Sequence, residues 1–201
     1  MNMFGLRSLA VAFGLSASLA VSAAPVQWAG NGHWYEFVPT AVNWSAARAA
    51  ALASTHNGMQ GYLATVTSAA ENVFINGSVS SALGWGGGSD EWDPQSESDQ
   101  QVWKWMDGPE AGQIFWNNGV TVIYANWSVG EPNNCCGGED YLQLNWSGAS
   151  WNDHGGPGNP GQLNGYFIEY SAAPNGVPEP GVMTLLGLGL AGLGLFRRRQ
   201  R

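Results

Sequence analysis

Residues 131–153 read EPNNCCGGEDYLQLNWSGASWND. Within this stretch Glu131, Asn133, Glu139, Asp140, Asn152 and Asp153 supply carboxylate and amide oxygens from short segments broken by glycines and one apolar run. No basic residue lies between Glu131 and Asp153, so nothing local neutralises the acids. Carboxylates and amides gathered from loops suit a hard divalent cation, and calcium takes roughly 6–8 such oxygens. The stretch therefore predicts a metal-dependent binding site.

The flanking sequence predicts how that site is framed. Tyr141-Leu142-Gln143-Leu144 and Gln101 to Met106 read as strands. Gly32 to Val38 alternates aromatic and polar residues and reads as a first strand, with Gly165 to Tyr170 a last strand pairing beside it. Asn43 is a helix cap for Trp44 to Ala53, with Ala46, Ala49, Ala50 and Ala53 on one face and Gly58 and Gly61 ending it. Tyr62 to Val66 is a short buried strand. Ser68-Ala69-Ala70-Glu71 forms a capping box for a second helix that turns Val73, Phe74 and Ile75 inward. From Gly84 to Gly130 glycine, tryptophan and acidic residues dominate and helical periodicity fades. Loops this long are functional or disordered, and the abundance of tryptophan, 11 in the chain, argues against disorder. The order of elements is α+β with one large irregular region.

Both ends look like processing segments. Arg7, the apolar run Leu9 to Leu19 and the small residues up to Ala23 fit a signal peptide over residues 1–23. The domain then occupies 24–170, a linker 171–176, and a distinct tail 177–201. In the tail, Val177-Pro178-Glu179-Pro180 precedes an apolar stretch, Gly181 to Phe196, and Arg197, Arg198, Arg199 and Arg201. The stretch is shorter than the ~20 residues of a comfortable span, and the arginines favour the cytoplasmic side. This three-part order resembles the PEP-CTERM sorting signal of Gram-negative bacteria. The resemblance implies an exosortase as partner, transient inner-membrane anchoring, removal of the tail, and delivery to the cell surface or an exopolysaccharide layer. An uncleaved anchor is the other reading.

Without those ends, Arg48 and Lys104 are the only lysine or arginine residues against 14 acids, a balance of −12 with histidines neutral. Such a balance argues against nucleic acid or anionic lipid as a partner and suits bound cations. The only cysteines, Cys135 and Cys136, are adjacent. They provide no long-range staple, and a vicinal disulfide, a reactive dithiol or a tolerated pair all remain open.

The ordered set Trp34-Tyr35-Glu36, Gly61-Tyr62-Leu63-Ala64-Thr65, Glu71-Asn72, Trp103-Lys104-Trp105, Asn126-Trp127, Glu131-Pro132-Asn133, Glu139-Asp140, Trp151-Asn152-Asp153 and Gly165 to Glu169 resembles a bacterial C-type lectin-like domain. The resemblance implies that fold: two helices, two small antiparallel sheets and a long calcium-binding loop region. It implies a Ca²⁺ held by Glu131, Asn133, Glu139, Asn152 and Asp153, the last also through its carbonyl. Carbohydrate would be bound by Glu131, Asn133, Glu139 and Asn152, each sugar hydroxyl donating to a carboxylate and accepting from an asparagine amide. It implies a cis Pro132 and, from the Glu-Pro-Asn order, vicinal hydroxyls of the mannose or glucose type. An auxiliary calcium at Asp90, Asp93 and Asp140 is a further implication, with a solvated acidic loop as its alternative. Trp151 reads as core and Trp92 as a sugar contact.

Two other functions compete. Paired carboxylates beside tryptophans describe some glycosidases, yet His33, His56 and His154 form no recognisable triad, and Cys135, Cys136 and His154 lack the usual zinc spacing. The expectation is a non-catalytic exported lectin. A surface adhesion or structural protein that uses calcium only to order its loops is the alternative.

Overall fold

The computed structural model describes residues 23–91, 102–156 and 160–172. The segments 1–22, 92–101, 157–159 and 173–201 lie outside that description, and with them Trp92, Asp93 and the proposed tail.

The elements run in order β1 (Val26–Gln27), β2 (Trp34–Val38), α1 (Trp44–Ala53), β3 (Thr55–His56), β4 (Met59–Leu63) and α2 (Ala69–Phe74), which continues as a π-helical turn over Ile75–Val79. They are followed by β5 (Gly84–Ser89), β6 (Val102–Trp105), β7 (Ile114–Asn117), β8 (Val120–Thr121), β9 (Tyr141–Leu144), β10 (Asn152–His154) and β11 (Tyr166–Tyr170). The last strand pairs antiparallel with the first long one, from Tyr166 opposite Val38 to Tyr170 opposite Trp34, so the domain closes on its own beginning as expected. On its other side β11 meets β4 antiparallel and β5 parallel, the latter through Tyr166 and Trp85. That single parallel pair joins two antiparallel groups. One holds the first and last described strands, and the other, β5 to β10, carries the loops.

Both helices start where expected. Asn43 Oδ1 accepts from the Ala46 N–H, and Ser68 accepts from the Glu71 N–H. Glu71 does not complete a capping box on Ser68; its Oε2 instead accepts the Thr67 N–H at 2.7 Å. The buried face of α1 also differs from expectation. Trp44, Ala47 and Ala51 face inward while Ala46, Ala49, Ala50 and Ala53 are exposed. Trp44 decides this: its ring stacks on Tyr141 at 4.6 Å and its indole N–H donates to the Gly86 carbonyl. Burying one indole outweighs burying several alanine methyls. The helix ends at Ser54, before either glycine. In the second helix Ile75 is buried, but Val73 is exposed.

Strand β5, Gly-Trp-Gly-Gly-Gly-Ser, was not predicted, because glycines disfavour strands. Here they admit close neighbours. A Cβ on Gly87 would stand 2.4 Å from the Leu63 carbonyl oxygen. Indoles and phenyl rings fill the loop-side core, with Trp85, Trp103, Trp105, Phe115 and Trp151 fully buried. Trp105 stacks on Phe115 at 4.1 Å, and Trp103 meets Trp127 at 4.9 Å.

A buried polar knot ties the two ends of the domain. Glu169, 1% exposed, accepts from the Thr65 N–H at 2.9 Å and the Thr65 hydroxyl at 3.0 Å, and His33 Nδ1 lies 2.5 Å from its other oxygen. The Tyr35 hydroxyl donates to Glu71 and lies 3.3 Å from Glu169. Burial, then the neighbouring Glu169, pushes the Glu71 carboxyl above its ordinary range, and the bond to Glu169 pushes His33 up. Truncating a partner in such a network strands the remaining buried polar groups. Glu169→Ala is expected to cost about 3 kcal/mol or more, read as a lower urea midpoint with an unchanged slope. A loss below about 1 kcal/mol, the scale of a single ordinary hydrogen bond, would contradict this account.

Candidate functional site

The floor of the site is the hairpin of β9 and β10, where Asn152 faces Gln143 and Asp153 faces Leu142. Trp151, immediately before it, is fully buried and donates its indole N–H to Asn72 Oδ1 at 2.7 Å. Its backbone also clamps the incoming loop: the Trp151 N–H donates to the Asn126 carbonyl, and the Ser128 N–H to the Trp151 carbonyl, each at 2.8 Å. Trp151 is therefore core, and it fixes both the strand that carries Asn152 and Asp153 and the approach to Glu131.

From that clamp the chain turns over. The Glu131 N–H donates to the Ser128 carbonyl, and the Glu131–Pro132 bond is cis, as the resemblance implied. The next two amides land on the fully buried Asp153: Asn133 N–H on Oδ1 at 3.1 Å and Asn134 N–H on Oδ2 at 2.7 Å. Asn134 in turn accepts the Glu139 N–H through Oδ1 at 2.8 Å. Cys135 N–H donates to Asn133 Oδ1 at 2.9 Å and to Glu139 Oε2 at 3.2 Å. The turn thus hangs on Asp153 and positions Glu139. Glu139, Asn152 and Asp153 are buried, while Glu131 is half-buried and Asn133 exposed. The arrangement has a deep floor and an accessible lip.

The electrostatics are one-sided. Burial, then the charge of Asp153, pushes the Glu131 carboxyl up to about 7. The same two causes, in the same order, push Glu139 up to about 7. Among the described residues the basic side chain beside these acids is His154, whose Nδ1 lies 3.5 Å from Glu139, and burial pushes its pKa down, which works against a counter-charge there. Glu131 Oε2 is buried and accepts no hydrogen bond. Three acids crowded without a base, one of them with an idle oxygen, are chemically suited to a hard cation. Among the described residues, however, no three His, Cys, Asp or Glu side chains close on one metal-sized point. The three carboxylates stand within electrostatic reach of one another and not as a finished cage.

The asparagines divide their work unevenly. Both N–H groups of Asn152 are engaged, on Gln143 Oε1 at 3.1 Å and on the Asp153 carbonyl, which leaves its side-chain oxygen as the group available for coordination. An amide donor for a sugar hydroxyl is thus left to Asn133, a narrower arrangement than the sequence implied. Gln143, which orients Asn152, carried no signal in the sequence beyond lying in a strand.

The remaining candidates separate. Asp90 and Asp140 are buried neighbours joined by the Asp90 N–H to the Asp140 carbonyl at 3.2 Å, while Asp93 lies outside the described residues. Cys135 and Cys136 form a vicinal disulfide.

Comparison with known proteins bears on the tail and on the fold. Residues 176–199 match the PEP-CTERM protein-sorting motif. Over 143 residues the chain is 38% identical to Halomucin of Haloquadratum walsbyi, covering 70% of this chain and 1% of that protein. Over 121 residues it is 34% identical to Ladderlectin of Oncorhynchus mykiss, covering 59% of this chain and 54% of that protein. The chain thus spans at most about half the length of these relatives. Its fold is shared with the cow C-type carbohydrate-recognition domain of CD23, solved in the presence of GlcNAc2Man3 oligosaccharide, at a TM-score of 0.50 and 24% identity over 71% of this chain and 90% of that one. By name Ladderlectin is a lectin and the CD23 domain is a carbohydrate-recognition domain. The chain has a C-type lectin-like fold and carries a PEP-CTERM sorting motif.

Proposed function

We propose that this protein is an exported surface lectin that binds carbohydrate through a calcium ion held by Glu131, Asn133, Glu139, Asn152 and Asp153. The observation that carries the reading is the convergence of Glu131, Glu139 and Asp153 without a base, which leaves two carboxyls titrating near 7. Bound calcium would supply coordination positions open to two neighbouring hydroxyls of a pyranose. The chain's own residues do the rest. Asp153 and Asn152 hold the floor, Glu131 and Glu139 accept hydrogen bonds from sugar hydroxyls, and the exposed Asn133 amide donates to them. The Glu-Pro-Asn order favours mannose- or glucose-type vicinal hydroxyls. The 24–170 domain would be released from its signal peptide at one end and its 177–201 tail at the other, with an exosortase acting on the tail.

Calorimetric titration with Ca²⁺, then with mannose and with galactose, tests this directly. Heat of calcium binding followed by heat for mannose and little for galactose is expected, and Asn133→Asp should abolish or invert the sugar preference while leaving the circular dichroism unchanged. Unaltered mannose binding in Asn133→Asp would count decisively against these residues.

A pH dependence also follows. Glu131 and Glu139 have folded-state pKa values above the ordinary carboxyl range, so the stability they contribute is complete below about pH 4 and is lost as pH rises through about 7. Melting in EDTA should therefore fall between pH 5 and pH 8, and less steeply in a Glu131→Gln/Glu139→Gln variant. Calcium should raise the wild-type melting temperature more at pH 8 than at pH 5, because protons compete for the same oxygens. Equal calcium stabilisation at both values would contradict the assignment.

A further inference from the structure

The Cys135–Cys136 disulfide sits in the middle of the turn that carries Asn133 and Glu139, and nothing in the calcium reading uses it. Its backbone nonetheless touches two proposed ligands, because the Cys135 N–H donates both to Asn133 Oδ1 at 2.9 Å and to Glu139 Oε2 at 3.2 Å. The turn around that amide is conformationally demanding. Asn134 at φ 48°, Cys136 at φ 63°, Gly137 at φ 101° and Gly138 at φ 107° all occupy left-handed backbone space. L-residues other than glycine disfavour that region, and asparagine tolerates it better than cysteine does. The Gly138 N–H donates to the Cys135 carbonyl at 3.1 Å and the Glu139 N–H to Asn134 Oδ1 at 2.8 Å, and the link between the two cysteine side chains adds a covalent constraint at the centre of this turn.

We infer that the Cys135–Cys136 bond is a positioning element for the calcium site: it holds the 134–138 turn so that the Cys135 amide stays on Asn133 and Glu139, and opening it weakens calcium binding. The inference rests on the calcium reading above. Cys136 is exposed, so a small thiol has access to the bond. In the opening step the S–S bond breaks, each protein sulfur takes up one electron and one proton, and two molecules of a reducing thiol are oxidised to one external disulfide. Once open, Cys136 is released to more favourable backbone conformations, and the amide is no longer held against the two side chains. Both ligand oxygens then lose a shared donor that oriented them. Outer partners of metal ligands typically matter by about 10–100-fold in affinity, and the lower end of that range is expected here.

The test uses the purified protein in three forms: oxidised, reduced with excess dithiothreitol, and as Cys135→Ser/Cys136→Ser, which keeps the backbone amide but lacks the bond. Thiol alkylation counts the cysteines opened. Calcium affinity is measured by calorimetry, and the melting temperature is measured in EDTA. The expected result is a dissociation constant about tenfold higher in the reduced and doubly substituted forms, restored on reoxidation of the wild type, with the EDTA melting temperature little changed. Equal affinity in the oxidised and reduced forms overturns the inference while the calcium reading stands. A fall in EDTA melting temperature that accounts for the lost affinity also overturns it, since the bond would then act on the whole fold. If the oxidised protein binds no calcium, the calcium reading fails and this inference fails with it. Should the double variant not fold, the oxidised, reduced and reoxidised wild type carry the comparison alone.

Discussion

Like charge held close together governs this domain. Glu131 and Glu139 stand within electrostatic reach of Asp153 on β10, and the chain outside its two ends has only Arg48 and Lys104 as fixed positive charges. Arg48 is committed to Asp107, with two contacts of 2.6 and 2.8 Å. The acids must therefore be neutralised by protons or by a cation from solution, and their raised pKa values reflect that choice. A fold that gathers such a group and retains it at neutral pH does so for a ligand more readily than for stability, since buried like charges oppose folding.

The rest of the structure holds this unfavourable arrangement in place. Trp151 clamps the loop before Glu131 and anchors the strand that carries Asn152 and Asp153. The core behind it is built from aromatic rings, and no disulfide links distant elements among the described residues. The knot of Tyr35, Thr65, Glu71 and Glu169 fastens the first strands to the last. The loop region is thus irregular in backbone yet tightly bounded, as a site assembled from loops requires.

Much of this was legible in the sequence because it is local. The Glu-Pro-Asn and Trp-Asn-Asp triplets, the helix caps at Asn43 and Ser68, and the aromatic strands at both ends are short patterns whose physics lies within a few residues. What was missed depends on contacts far apart along the chain. Strand β5 reads as a loop until Leu63 and Leu144 are seen pressed against its glycines. The inward face of α1 follows Trp44 because Tyr141 and Gly86 lie ready for its ring, which no helical periodicity could reveal. Gln143 gained meaning only when strand pairing set it opposite Asn152. Glu71, read as a helix cap, became part of the knot only when Tyr35 was brought to it.

The central claim is that segments 131–139 and 152–153 act together as one divalent-ion site. Titrating Ca²⁺ into ¹⁵N-labelled protein and following backbone amides residue by residue tests it most directly. The account predicts saturable shifts centred on Asn133, Asn134, Cys135, Glu139, Asn152 and Asp153, with smaller changes elsewhere. Amides in both segments that stay fixed at millimolar calcium, or shifts confined to the neighbourhood of Asp90 and Asp140, would contradict it.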